Sequence, residues 1–135
     1  MGLDMYLFST KKNNKSFEKV VFNNNWEDFN ELVYWRKANH IHKWFVENVQ
    51  DEIDDCGYYE VSKLQLINLL NDCKAVLNNP TWAKDILPTR EGFFFGVTEY
   101  NEFYFSSIAH TILEIEYILE SFDFENNYLF YSASW

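Results

Sequence analysis

Tyr34-Trp35-Arg36-Lys37-Ala38-Asn39-His40-Ile41-His42-Lys43-Trp44-Phe45 is the stretch on which the reading of this fold turns. It gathers two of the five Trp, two of the three His and one of only two Arg into twelve residues. Read at helical spacing, Asn25 caps a helix that begins near Trp26 and runs to about Val49. With Ala38 at the centre of the buried face, Tyr34, Ile41, Phe45 and Val49 fall within about 60° of it and form a core stripe. The adjoining flank runs His42, Trp35, Val46, Asn39, Lys43, Arg36, grading from core to solvent.

Each polar group on that flank has a use toward a flat, anionic, nucleotide-like ligand. Arg36 can grip a phosphate or carboxylate bidentately and Lys43 adds a point charge. Asn39 can read a donor–acceptor edge and Trp35 can stack on a ring. Arg36 and Lys43 also fit a plain solvated face paired with nearby glutamates, and His42 a hydrogen-bonded histidine at the core edge. His40 points to solvent on this wheel, and His110 stands alone on a later helix. A zinc site from His40 and His42 fails, because i and i+2 diverge on a helix. Asp4, a carboxylate on the aromatic face of an end strand, can orient one of the cations.

Outward from this stretch the elements follow from periodicity. Leu3, Met5 and Leu7 alternate with Asp4, Tyr6 and Phe8, an N-terminal strand. Residues 10–25 read as a polar loop or hairpin, with Val20, Val21 and Phe22 as a short strand. Asp51 to Gly57 is acidic and turn-like, and Tyr58 to Val61 is briefly extended. Ser62-Lys63-Leu64-Gln65 is a capping box before a stripe of Leu66, Leu69, Leu70, Cys73, Val76 and Leu77. Residues 80–91 connect to Gly92-Phe93-Phe94-Phe95-Gly96, a glycine-bounded apolar run of strand length. A third helix spans about Asn101 to Phe122 on Phe105, Ile108, Ala109, Ile112, Ile115, Leu119 and Phe122, and Tyr128 to Tyr131 closes as a strand. The fold class is α+β: one domain over 1–135, three main helices on a small antiparallel sheet that includes both terminal strands.

Composition narrows the function classes. The 13 Phe, 9 Tyr and 5 Trp exceed what one small core hides, so some rings should line a groove or an interface, and a homodimer is compatible with that excess. With 21 acidic against 11 basic residues the chain is a poor candidate for direct nucleic-acid binding, which depends on neutralising phosphates. Cys56 and Cys73 are isolated from each other, giving neither a zinc knuckle nor a disulfide framework, and Cys73 reads as a buried thiol. No signal-peptide pattern and no membrane-length apolar run is present, so a reducing, cytoplasmic setting without membrane contact is expected.

A second candidate region runs from Phe93 to Tyr104, where Glu99, Tyr100 and Tyr104 lie at a helix start with Arg90 just upstream. The plainer reading makes the three Phe core and the Tyr rim packing. No nucleophile elbow, spaced Ser/His/Asp set, paired carboxylates, metal set or cofactor motif emerges, so no catalytic residue, metal or cofactor is expected.

Several blocks carry a resemblance together: Met1-Gly2-Leu3-Asp4-Met5-Tyr6-Leu7, the Tyr34-to-Phe45 segment, Asp54-Asp55-Cys56-Gly57, Gly92-Phe-Phe-Phe-Gly96 with Thr98-Glu99-Tyr100, and the ending Tyr131 to Trp135. The chain resembles a family of small, largely uncharacterised proteins encoded by bacteriophages and prophages. At His40 the family pattern carries a small residue, a departure that weighs against a ligand role there. The resemblance implies an accessory, counter-defence protein in an infected or lysogenic bacterium. One expectation is a non-enzymatic protein that sequesters a nucleotide-like signal through Trp35, Arg36, Asn39, His42 and Lys43, with Arg90, Glu99, Tyr100, Tyr104 and Asp4 in support. The alternatives are an acidic inhibitor that binds a host defence protein, and a nucleotide-degrading enzyme.

Overall fold

The stretch from Asn30 to Phe45 is not one helix. In the computed structural model, which describes residues 2–23, 28–92 and 95–135, Asn30–Arg36 is a strand and Asn39–Asn48 a helix. Val33 and Trp35 point into the core while Tyr34 and Arg36 stay exposed, the alternation of a half-buried strand rich in β-branched and aromatic residues. The break falls at Lys37, whose backbone is left-handed (φ 56°). Its N–H bonds Leu3 O at 2.7 Å, which ties the turn to the chain's beginning. Asn25 and Trp26, expected to open a long helix, lie outside the described residues.

In chain order the elements are β1 (Asp4–Lys11), α1 (Phe17–Asn23), β2 (Asn30–Arg36), α2 (Asn39–Asn48), β3 (Tyr59–Glu60), α3 (Lys63–Asn78), α4 (Ala83–Ile86), α5 (Glu102–Ser121) and β4 (Asn127–Ser134). The sheet runs β2-β1-β4-β3 with every neighbouring pair antiparallel, so both terminal strands sit at its centre. This is the expected α+β architecture. The expected strand at Val20–Phe22 is instead part of α1. Phe17 and Val21, four apart, pack on one small cluster, which is helical rather than strand spacing.

The capping box predicted before α3 is present: Gln65 N–H donates to Ser62 Oγ at 3.1 Å and Ser62 N–H to Gln65 Oε1 at 2.8 Å. Leu66, Leu69, Leu70, Cys73 and Val76 are buried as expected, whereas Leu77 is exposed. Burial pushes the Cys73 thiol well above its ordinary range, with Asp72 adding to the shift. Asn101 caps α5 by accepting from Tyr104 N–H at 3.2 Å. Of the glycine-bounded run, Phe93 and Phe94 lie outside the described residues. Gly92, Phe95 and Gly96 belong to no strand, and Phe95 N–H turns back to Gly92 O.

The two faces of the sheet meet different surroundings. On one, Leu3, Met5, Leu7, Val33, Trp35, Leu129, Tyr131 and Ala133 share a continuous core with α2, α3 and α5. On the other, a small aromatic cluster of Phe8, Phe29 and Phe130 is covered by Phe17 and Val21 of α1. Tyr6, Tyr34, Asp4 and Arg36 on that second face remain half-buried or exposed.

Candidate functional site

With β2 a strand, the side chains of the Tyr34–Phe45 stretch separate by sheet face rather than round a wheel. Trp35 is buried, and its indole N–H donates to Thr111 Oγ1 at 2.8 Å, so this ring is core and not a free stacking platform. Asn39 is buried too. Its amide donates to Phe95 O (3.2 Å) and Val97 O (2.9 Å) while its Oδ1 accepts from Arg90 N–H (3.0 Å), stapling Arg90, Phe95 and Val97 to the start of α2. His40, expected in solvent, is 2 % exposed, lies tilted against Tyr104 with ring centroids 4.1 Å apart and hydrogen-bonds Ser107 Oγ. Burial lowers its pKa to about 3.

His42 is fully buried, with both ring nitrogens engaged. Asp54 Oδ1 lies 3.0 Å from Nε2 and the Tyr131 hydroxyl 2.7 Å from Nδ1. An ionised Asp54 only accepts, so Nε2 carries the proton, and in the neutral ring Nδ1 accepts from Tyr131 O–H. Asp54 also pairs with Arg90 Nη2 at 3.5 Å and accepts from the Trp135 indole at 3.1 Å. Burial pushes the Asp54 carboxyl up, but His42, Trp135 and Arg90 together outweigh it and hold the group below the usual carboxylate range. Burial, reinforced by Asp54 and Cys56, raises the Tyr131 phenol far above its ordinary value. The structure therefore brings His42 and Arg90 onto Asp54, while Asn39 holds the Arg90 backbone rather than the aspartate.

On the opposite face, Arg36, Asp4 and Ser134 lie side by side in register where β1 begins and β2 and β4 finish. Asp4 Oδ1 accepts from Tyr34 O–H and from Arg36 Nη1, both at 2.6 Å, so the carboxylate does orient a cation as its position on the strand implied. The Tyr34 hydrogen bond, then Arg36, hold the Asp4 carboxyl below its ordinary range despite slight desolvation. One row further along, a groove of about 360 Å³ is lined by Tyr6, Phe8, Glu31, Tyr58, Ser132 and Ser134. Tyr6 stacks on Phe8 at 5.0 Å and leans on Tyr34 at 5.2 Å, giving the groove an aromatic floor. The hollow is at the lower end of the size range for small-molecule sites, about 300–1,000 Å³. Strand alternation places Tyr6 and Tyr34 on this face, a signal that the helical reading concealed.

The remaining candidates stand apart. Lys43 pairs with Glu47 at 3.6 Å, beside a cavity of about 80 Å³ that also touches His40, Trp44 and Asp72. At about 30 Å³ per water, that cavity holds a few solvent molecules and no nucleotide. Tyr104 donates its hydroxyl to Leu87 O at 2.7 Å and Tyr100 accepts from Thr89 N–H at 3.2 Å, both structural uses, while Glu99 is exposed on the loop before α5. Arg36, Lys43 and Arg90 each face a carboxylate, whereas Lys37, adjoining Arg36, has no ion pair among the described residues. Gly96 (φ +94°) lies against this turn, where an added Cβ would meet Lys37 Cβ at 3.0 Å. No cluster of metal-ligating side chains occurs among the described residues, and no described helix is long and apolar enough to cross a membrane. The chain matches no family model, no curated protein and no solved structure.

Proposed function

We propose that this protein is a non-enzymatic binding protein that sequesters a nucleotide-like small molecule on the open half of its sheet. The observation that carries this reading is the groove floored by Tyr6, Phe8 and Tyr58, opening beside the Asp4–Arg36–Tyr34 cluster. The rings offer a stacking surface for a base. Glu31 offers an acceptor for the N–H groups of its edge, and Ser132 and Ser134 can donate or accept. Because Asp4 already neutralises Arg36, the next cation along the chain that could serve an anionic tail is Lys37, and so small a charge favours a ligand with few phosphates over a triphosphate.

A larger hollow between residues 11–15 and 123–128, about 620 Å³, suits such a ligand less well. Its lysines face Asp123 and Glu125, and Lys12 Nζ already covers the Tyr128 ring at 5.1 Å. A degrading enzyme is also less well supported, because a general base must reach the proton it removes and His42 is sealed from solvent. In the phage setting that the sequence resemblance implies, capture of an intact nucleotide would withhold it from a host effector.

Titration calorimetry with nucleosides, mononucleotides and cyclic dinucleotides tests the proposal. At least one should bind, and Tyr6→Ala should weaken it at least about tenfold, the loss of one stacking platform. Equal binding by Tyr6→Ala and by Lys37→Asn, or conversion of the ligand to product, would overturn it. Asparagine is chosen at position 37 because it tolerates a left-handed backbone.

A further inference from the structure

We infer that the outward face of α5 docks an amphipathic helix flanked by lysine and arginine. Along α5, Phe103, Ser106, His110, Leu113, Tyr117 and Glu120 follow one another at alternating three- and four-residue steps, and all are exposed. That is the spacing of a helix–helix seam, set on the side opposite the buried stripe of Tyr104, Ile108, Thr111, Ile115 and Ile118. Leu113 is 69 % exposed, Tyr117 68 % and Phe103 47 %, so the apolar members project rather than pack. The core needs only the opposite stripe, and an ordinary surface helix carries polar residues on its outer face.

Charge decides the occupant. Advancing about 100° per residue puts Glu114 on one flank of the seam and Glu102 and Glu116 on the other, with Glu120 ending the seam itself. α5 contains no Lys or Arg. The nearest cation bridging to it is Lys74 of α3, 3.4 Å from Glu116, while His110 lies 4.0 Å from Glu114. A second copy of this chain would bring the same carboxylates against one another, which works against self-pairing. A helix with leucine-type knobs at the seam positions and cations beside them meets apolar surface with apolar surface and carboxylate with cation. The contact uses the full α5 length, about 30 Å, and is separate from the sheet groove.

Fluorescence anisotropy with a labelled Leu/Lys peptide built on the same heptad spacing provides the test, with a Leu/Glu peptide of the same pattern as control. The Leu/Lys peptide should bind, the Leu/Glu peptide should not, and L113S/Y117S should weaken binding at least about tenfold, as for loss of interface anchors. Those substitutions keep the net charge, so unchanged affinity in L113S/Y117S would show mere charge attraction and overturn the proposal. Concentration-dependent dimers of the unmodified protein, dissolved by L113S/Y117S, would overturn it in favour of a second copy. Both altered side chains are exposed, so circular dichroism should show an unchanged fold.

Discussion

The two faces of the sheet handle polar side chains in opposite ways. Under α2, α3 and α5, Trp35, Asn39, His42 and Tyr131 are buried, and each hydrogen-bonds another part of the protein. On the other face, Asp4, Tyr34 and Arg36 form an exposed cluster beside a groove that α1 does not cover. Residues adjacent in sequence, Trp35 and Arg36, therefore serve different ends. The lesson is that unusual residues in one stretch need not form one site. Strand alternation sends half of them to the core, where an unmade hydrogen bond is costly, and half to a surface open to a ligand.

The largest break in this comparison should come from His42→Ala. It leaves Asp54 and the buried Tyr131 hydroxyl without their shared partner and should destabilise the fold by about 3–5 kcal/mol in denaturant unfolding. A loss under about 1 kcal/mol, the scale of a surface contact, would show that the buried network is not structural. Acid should act next, through His40. Its folded pKa of about 3 lies below the ordinary 6.5, so the unfolded chain binds the extra proton between those values. Stability is then fully present above pH 6.5 and falls toward pH 3, by up to about 1.4 kcal/mol per pH unit. His40→Gln should flatten that limb of the pH–stability curve, and an unchanged slope would contradict the assignment.

Smaller effects sharpen the contrast. Gly96→Ala forces a Cβ against Lys37 at a left-handed position and should cost about 1–3 kcal/mol. Trp35→Phe removes the buried indole N–H that Thr111 Oγ1 accepts, leaving Thr111 only its bond to Ser107 O, and should cost about 1–2 kcal/mol in thermal or denaturant melts. Arg36→Ala, one residue along but on the open face, should leave the unfolding midpoint nearly unchanged while altering ligand binding. A Trp35→Phe melt indistinguishable from that of Arg36→Ala would erase the distinction between the faces.

Much of the fold was legible because long segments carried consistent signals. The capping box at Ser62–Gln65, the apolar stripes of α3 and α5, and the alternation of β1 all agree with the elements they form. The strand-to-helix break at Lys37 was not legible, since the usual punctuation of glycine or proline is absent and a lysine carries the left-handed turn. Tyr34, Ala38, Ile41 and Phe45 happen to repeat at helical spacing across that break, so a wheel fits a segment that is half strand. The site was legible only in fragments. Asp4 with Arg36 could be anticipated from an unpaired carboxylate on an aromatic face. Asp54 meets His42, Arg90 and Trp135 only through tertiary folding, with residues from three separate segments converging on it.

The central claim is that binding belongs to the open face and stability to the covered one. Mass spectrometry of small molecules released by heat tests it most directly, after the purified protein is incubated with a bacterial small-molecule extract. The unmodified protein and Lys43→Ala, altered away from the groove, should release the same ring-bearing molecule, and Tyr6→Ala combined with Lys37→Asn should release none. Equal release from the groove variant, or no ring-bearing molecule from the unmodified protein, would contradict the account.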